Sequence, residues 1–352
     1  MKAEHKNIFN LLIILALFFA LISCNETSKK ETSGNQEQSL ISEKTDSLAI
    51  KEISDKIRKT PKDDKLFFER SKLYFKQDDI ENAINDLEIA MKLDSLKPEY
   101  YNQLSEYYLL KGDSKASKTT LEKCLKFFPE NTDALLKLSN IYLYVKEYKN
   151  SLKYLSQVQQ IDKHIAQTYF IKGLVYKEIN KPEEAIKNLQ IAVDNEPNYY
   201  DAYMLLGLLY AEKQDSIAIA YYRNAINIAP NSFEAHYNTA FFYQENNKPK
   251  QAIDKYNYIL TNIDSTQQHV YYNIGYINMI YLNKYKEAIS YFSKAIKYDS
   301  NYFQAYYNIG YCYELLKQYD KAKKQYQKSL DIYPNYDLSV KALNRLDEIK
   351  KQ

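Results

Sequence analysis

Few residues in this chain are of the types that nucleophilic, redox or metal chemistry needs. There are three cysteines, Cys24, Cys124 and Cys312, and four histidines, His5, His164, His236 and His269. None pairs with another at metal-ligand spacing. Asp and Glu number 45, but they stand three or four residues from Lys, as solvated helix-surface pairs do. A phosphate-cradling glycine loop, a nucleophile elbow and a zinc motif are all missing. The sequence therefore predicts no catalysis, no metal, no cofactor and no small-molecule substrate. What is left for function is a binding surface, and the elements that would carry it.

Those elements are helical. Gly (6) and Pro (8) make up about 4% of the 352 residues, where ordinary domains carry roughly 12%. So few turn formers cannot serve the corners of a β-sandwich, barrel or propeller. Lys and Arg (48) nearly cancel Asp and Glu (45), so no global basic field draws nucleic acid and no acidic surplus argues for disorder. Tyrosine is the anomaly, with 37 residues beside no Trp.

The first 23 residues read as an export signal. Lys2 and Lys6 precede an unbroken apolar run from Leu11 to Ile22, too short for a membrane-spanning helix, which needs about 20 residues. The run closes on Leu21-Ile22-Ser23-Cys24, which resembles the lipobox of bacterial lipoproteins. That resemblance implies cleavage before Cys24 and acylation, with palmitate among the chains, of the cysteine and the new N-terminus. Three acyl chains at about 0.8 kcal/mol per buried CH₂ would hold the protein on a membrane. Asn25 in place of the Asp that retains enterobacterial lipoproteins at the inner membrane leans toward an outer-membrane anchor facing the periplasm of a Gram-negative cell. Surface display stays open. An ordinary secretory signal with an incidental Cys is the alternative. Residues 24–45, rich in Ser, Thr, Glu, Lys, Asn and Gln, read as a lipidated flexible tether.

Beyond the tether the chain repeats. One phrase, anchored on a small residue, recurs at Ser71, Ser105, Ser139, Gly173, Gly207, Ala240, Gly275 and Gly310, a period of 33 to 35. An aromatic follows three residues later in every copy except the seventh, which has Asn278. A second small site (Ala83, Ser117, Ser151, Ala185, Ala218, Ala252, Ala288, Ala322) precedes a bulky residue by four: Leu87, Leu121, Leu155, Leu189, Tyr222, Tyr256, Phe292 and Tyr326. Spacings of three, four and seven mark one helix face, and they appear twice per copy. Each copy is thus a helix pair whose small sites allow close approach. Pro129, Pro197, Pro230 and Pro334 stand where second helices must stop, while Pro98, Pro182 and Pro249 stand where helices start.

This pattern resembles the tetratricopeptide repeat. The resemblance covers residues 64–336 in eight copies and implies an all-α, right-handed superhelical solenoid. Residues 46–61 form a leading helix and 337–352 a C-terminal capping helix with a polar back. Cys124 and Cys312, five repeats apart, cannot bridge and read as small core residues. The one-residue insertion before Ala288 predicts local unwinding in the seventh copy, which Asn278 also weakens. His236 and His269 fall one repeat apart on first helices.

The family binds extended peptides or partner helices on the concave face lined by first helices. Carried onto this sequence, one lining row reads Phe170, Met204, Tyr237, Tyr272, Tyr307 in the later copies and a second reads Leu174, Leu208, Phe241, Tyr276, Tyr311. Earlier copies are mixed and charged. The second row is apolar where polar residues are usual, which points either to a binding groove or to packing between repeats. Asn238, Asn273 and Asn308 are candidates for a ladder to a bound backbone. The resemblance implies a non-enzymatic scaffold that recruits a protein or peptide partner. A carbohydrate-capture lipoprotein is the alternative, against which stand the missing Trp and the absence of long loops.

Overall fold

The computed structural model describes residues 34–349, with side chains from Thr45 onward. The predicted signal peptide and Cys24 lie outside the described residues. All described elements are α-helices, eighteen of them, and no helix among them is long and apolar enough to cross a membrane. The chain divides into two compact units that meet in sequence at Phe127 and Phe128.

Unit one holds α1 (Gly34–Lys59), α2 (Asp64–Lys76), α3 (Ile80–Leu93), α4 (Pro98–Leu110) and α5 (Ser114–Phe127). Its core gathers Phe67, Ile84, Leu87, Tyr100, Leu104 and Tyr107 between consecutive helices. Helix α1 is bound in through a buried ion pair. Arg70 donates from Nε and Nη2 to both Asp86 oxygens at 2.7 Å, and from Nη1 to the Ser54 hydroxyl at 2.9 Å. The fork geometry offsets the loss of hydration that burying two charges entails.

Unit two begins with α6 (Thr132–Tyr144), α7 (Tyr148–Ile161), α8 (Ala166–Glu178), α9 (Pro182–Asn195), α10 (Tyr200–Glu212) and α11 (Ile217–Ile228). It continues through α12 (Phe233–Glu245), α13 (Pro249–Asn262), α14 (Gln268–Ile280), α15 (Tyr285–Tyr298), α16 (Phe303–Leu315) and α17 (Tyr319–Ile332) to α18 (Asp337–Ile349). Even-numbered helices from α2 to α16 are first helices of a pair and each packs on its odd-numbered successor. Successive first helices also touch, as α10 does α12 and α14 does α16. Starts follow local chemistry: Asn131 and Ser232 cap α6 and α12 by accepting from Ala134 and Ala235 amides, and Pro98, Pro182 and Pro249 open α4, α9 and α13.

The small sites explain how paired helices approach. A Cβ added to Gly207 would lie 2.4 Å from Cε1 of Tyr222, one on Gly275 2.8 Å from the Phe292 ring, and one on Gly310 2.7 Å from the Tyr326 ring. The bulky side chain of the second helix therefore rests on bare backbone of the first. Where the anchor is Ser, as at Ser71, Ser105 and Ser139, the facing residue is the slimmer Leu.

Every pair turns through one left-handed residue: Asp78, Gly112, Lys146, Asn180, Gln214, Asn247, Asn283 and Lys317 all have positive φ. Each lies seven positions after its anchor except Asn283, which lies eight after Gly275. That offset corrects the expected unwinding of the seventh copy. Helix α14 keeps the same 13 residues as its counterparts, and the inserted residue is absorbed in the turn after it. Asn278 is tolerated inside because its Nδ2 donates to the Ile274 carbonyl at 2.8 Å and its carbonyl accepts from Lys284 N at 2.7 Å. The leading helix also differs from expectation. It starts at Gly34 and not at residue 46, because Gln36 to Lys44 contains no Pro or Gly and several good helix formers.

Candidate partner-binding groove

Within unit two the first helices α8, α10, α12, α14 and α16 present two rows of side chains in register. The two rows lie four residues apart on each helix, so one turn stacks above the next. Tyr237 and Phe241 have near-parallel rings 6.4 Å apart, and Tyr307 and Tyr311 repeat that arrangement at 6.4 Å with planes only 4° apart. Same spacing, same helix face and same side-chain type give the same geometry two repeats away.

The rows differ in depth. In the first, Phe170, Met204 and Tyr272 are buried, because each packs against its neighbouring repeat: Phe170 on Tyr199 and Tyr272 on Tyr302, with ring centroids 5.0 and 4.8 Å apart. Tyr237 and Tyr307 are half-buried, and Tyr307 meets Tyr326 and Tyr336. In the second row Leu174 is 9% exposed, whereas Leu208, Phe241, Tyr276 and Tyr311 keep intermediate exposure. Those four line a continuous apolar strip. Tyr276 and Tyr311 also lean on the core built around Phe292 and Ile309, so packing and exposure coexist in the same side chains.

The asparagines lie beneath the strip. Asn273 donates from Nδ2 to the Tyr237 hydroxyl at 2.9 Å and to the Tyr256 hydroxyl at 3.0 Å. Asn308 donates to the Tyr272 hydroxyl at 2.9 Å. These amide donors are therefore spent between repeats and cannot serve as the outward donors of a three-rung ladder. Asn238 differs. It is 7% exposed, makes no hydrogen bond to a described residue, and keeps solvent access at its amide tip. The reason is in the preceding repeat, where Met204 stands in place of Tyr237 or Tyr272 and offers no hydroxyl.

Tetratricopeptide repeat models match residues 98–131, 172–216, 201–232, 221–254, 268–302 and 303–336, together just over half of the sequence. The chain is a tetratricopeptide repeat protein. It is 26% identical over 149 residues to the BBSome complex member BBS4 homolog of Drosophila melanogaster, covering 42% of this chain and 31% of that protein. It is 25% identical, again over 149 residues, to the UDP-N-acetylglucosamine–peptide N-acetylglucosaminyltransferase of Giardia intestinalis, covering 40% of this chain and 10% of that one. The chain thus spans about a third and a tenth of these curated relatives. Among solved structures, pilF of Pseudomonas aeruginosa superposes with a TM-score of 0.50 at 14% identity, covering 56% of this chain and 90% of that one, a likeness of fold.

As in other tetratricopeptide proteins, helices pair along the chain, and charged residues outside the two rows also lie on the first helices. Asp201 and Glu234 occupy the first turns of α10 and α12. The Tyr200 hydroxyl and the Ser232 hydroxyl, 2.6 Å apart, tie these two helix starts together, which sets the two carboxylates at one mouth. Both side chains reach solvent, yet the protein crowded around them costs their charged forms hydration and raises their pKa values, for Glu234 also through the Asp201 charge. A helix N-terminus alone would lower them. Neither has an ion-pair partner among the described residues. The two lining rows leave out both acids, because nothing in the sequence marks a first-turn acid as more than a helix-dipole partner; their signal is a shared position six residues before Gly207 and Ala240.

The nucleophile-type residues are committed elsewhere. Cys124 and Cys312 are buried and not joined in a disulfide, and burial pushes the Cys312 thiol up to about 12. His236 Nε2 lies 2.9 Å from the Pro230 carbonyl, with its ring stacked on Tyr258, whereas His269 Nδ1 lies 3.2 Å from the Tyr302 hydroxyl. No group of three or more His, Cys, Asp or Glu that could hold a metal occurs among the described residues.

Proposed function

We propose that this chain is a lipid-anchored, non-enzymatic scaffold of a Gram-negative cell envelope that binds a protein or peptide partner along the first helices of unit two. Tetratricopeptide proteins commonly mediate protein–protein contact, and the observation that carries the reading here is the half-exposed strip Leu208, Phe241, Tyr276 and Tyr311. A solvated helix surface would be polar at these positions. The anchor rests on Leu21-Ile22-Ser23-Cys24, with Cys24 acylated and the outer membrane, periplasmic face, as its destination.

The test is affinity capture from native envelopes with mature protein tagged at its cysteine. A folded Phe241→Ser, Tyr276→Ser, Tyr311→Ser triple variant, its helicity checked by circular dichroism, runs alongside. Proteins retained by wild type and lost by the variant are the expected result. An equal catch from both would place the partner on another surface. For the anchor, wild type should incorporate a fatty-acid label and Cys24→Ser should not; a Cys24→Ser protein that still partitions wholly with membranes, beside an unlabelled wild type, would overturn it.

A further inference from the structure

The acids of unit two add a charge requirement to the groove. Asp201 and Glu234 share one mouth, held there by the Tyr200–Ser232 bond. At the opposite ends of the same two helices stand Glu212 and Glu245, each the last helical residue, with no basic residue in either last turn. A carboxylate at a helix C-terminus opposes the macrodipole, so helix stability does not account for these two. They lie near tyrosines of the unit: burial raises the Tyr222, Tyr276 and Tyr281 hydroxyls, and Glu212 and Glu234 add to this at Tyr222 as Glu245 does at Tyr276 and Tyr281.

The cations that follow these helices in sequence have contacts of their own. Lys213 pairs with Glu183 at 3.0 Å, Lys248 lies on the Tyr243 ring, and Arg345 forks onto Glu314 at the far end of the unit. The groove between α10 and α14 therefore carries unpaired acids at the Asp201–Glu234 mouth and is apolar along its strip. Two polar groups beneath the strip make no hydrogen bond among the described residues. One is the Asn238 amide, nine-tenths buried; the other is the Tyr222 hydroxyl. Their counterparts one repeat on, Asn273 and Tyr256, are bonded to each other at 3.0 Å. The Asn238 amide is thus unspent within the protein and reaches solvent only at its tip, where a ligand group can meet it.

We propose that the groove takes an extended, lysine- or arginine-bearing segment of a partner protein, with a cation between Asp201 and Glu234, apolar side chains on Leu208, Phe241 and Tyr276, and a backbone amide on Asn238. The proposal rests on the binding reading given above and specifies its partner. Three features act on one segment. Facing carboxylates supply charge-assisted hydrogen bonds to an ammonium or guanidinium. The parallel ring faces of Tyr237 and Phe241 attract a cation passing over them. The Asn238 side chain offers a donor and an acceptor together, the pair that one peptide unit requires. An acidic segment meets like charge at the Asp201–Glu234 mouth and is disfavoured.

The experiment is selection from a display library of random twelve-residue peptides against the full mature chain. Two variants run in parallel, Asp201→Asn with Glu234→Gln, and Phe241→Ser with Tyr276→Ser, each confirmed folded by circular dichroism. Peptides selected by wild type should be enriched in Lys and Arg, and the selected peptides should bind the Asp201→Asn, Glu234→Gln protein at least tenfold more weakly. Raising salt should weaken wild-type binding more than that of the charge variant. Peptides that bind wild type, fail on the Phe241→Ser, Tyr276→Ser protein and show no Lys or Arg excess would keep the groove and overturn the cation. Selection no different between wild type and the Phe241→Ser, Tyr276→Ser protein would overturn both.

Discussion

Asn308 donates from Nδ2 to the Tyr272 hydroxyl at 2.9 Å, one repeat back, and Asn273 makes the same bond to Tyr237 at 2.9 Å. The groove floor of the last three repeats is thus stitched by a side-chain bond that spans repeats and repeats itself. Asn308→Ala leaves the Tyr272 hydroxyl unsatisfied and should cost about 1–2 kcal/mol, as should Tyr272→Phe. The double variant should cost less than the sum, with a coupling of about 1 kcal/mol in a cycle read by urea unfolding.

Gly207→Ser should destabilise unit two by about 1–3 kcal/mol. The new Cβ meets the Tyr222 ring at 2.4 Å, a clash larger than the gain of roughly 0.5 kcal/mol from replacing Gly in a helix. Adding Tyr222→Leu recreates the Ser–Leu pairing that Ser105/Leu121 and Ser139/Leu155 use. Thermal melts of the single and double variants should show the second change recovering most of the loss.

The left-handed turns offer stabilisation. Lys146, Gln214 and Lys317 hold φ near +60°, at 61°, 57° and 58°, where a side chain costs about 1–2 kcal/mol. Replacing each by Gly should raise stability by about 0.5–1 kcal/mol after the entropy that Gly loses, as measured by denaturant midpoint. Gly112→Lys, at φ 87°, should lower it.

Unit two should be sensitive to acid through Glu314. Burial alone would raise its carboxyl, but Arg345, donating at 2.8 and 2.9 Å, and the Tyr326 hydroxyl at 2.7 Å hold it below 4.5. A depressed folded pKa means stability that is fully present above the unfolded value near 4.5 and is lost as pH falls through the lower folded value. Asp201 and Glu234 have the opposite sign. Their raised values mean a penalty that grows as pH rises through them, so Asp201→Asn with Glu234→Gln should be at least as stable as wild type at pH 7. Urea midpoints between pH 3 and pH 7 should show a steeper acid loss for wild type than for Arg345→Ala, and no loss at pH 7 for the Asn/Gln pair.

Much of the fold is legible from spacing alone, because the contacts that define each helix pair are local. The small anchor, the bulky residue it faces and the prolines at helix ends each recur within one period. The groove was only half legible. Whether Phe170, Met204 and Tyr272 face solvent depends on the neighbouring repeat, and there Tyr199 and Tyr302 cover two of them. Asn273 and Asn308 look like outward donors until Tyr237 and Tyr272 are placed beside them. Asn238 has the same residue type at the same register and a different fate, set by Met204 one repeat away. The left-handed residues Lys146, Gln214 and Lys317 carry no compositional sign of their backbone, which the turn length imposes on whatever residue falls there.

The central claim is that a protein partner lies on the first-helix face of unit two. Photo-crosslinking in living cells tests it most directly, with benzoylphenylalanine placed at Phe241 on α12 or, in a second strain, at Tyr298 on the second helix α15, where the side chain is 41% exposed. The account predicts a discrete crosslinked partner from position 241 that is absent from position 298. A partner crosslinked from position 298 with none from position 241 would contradict it.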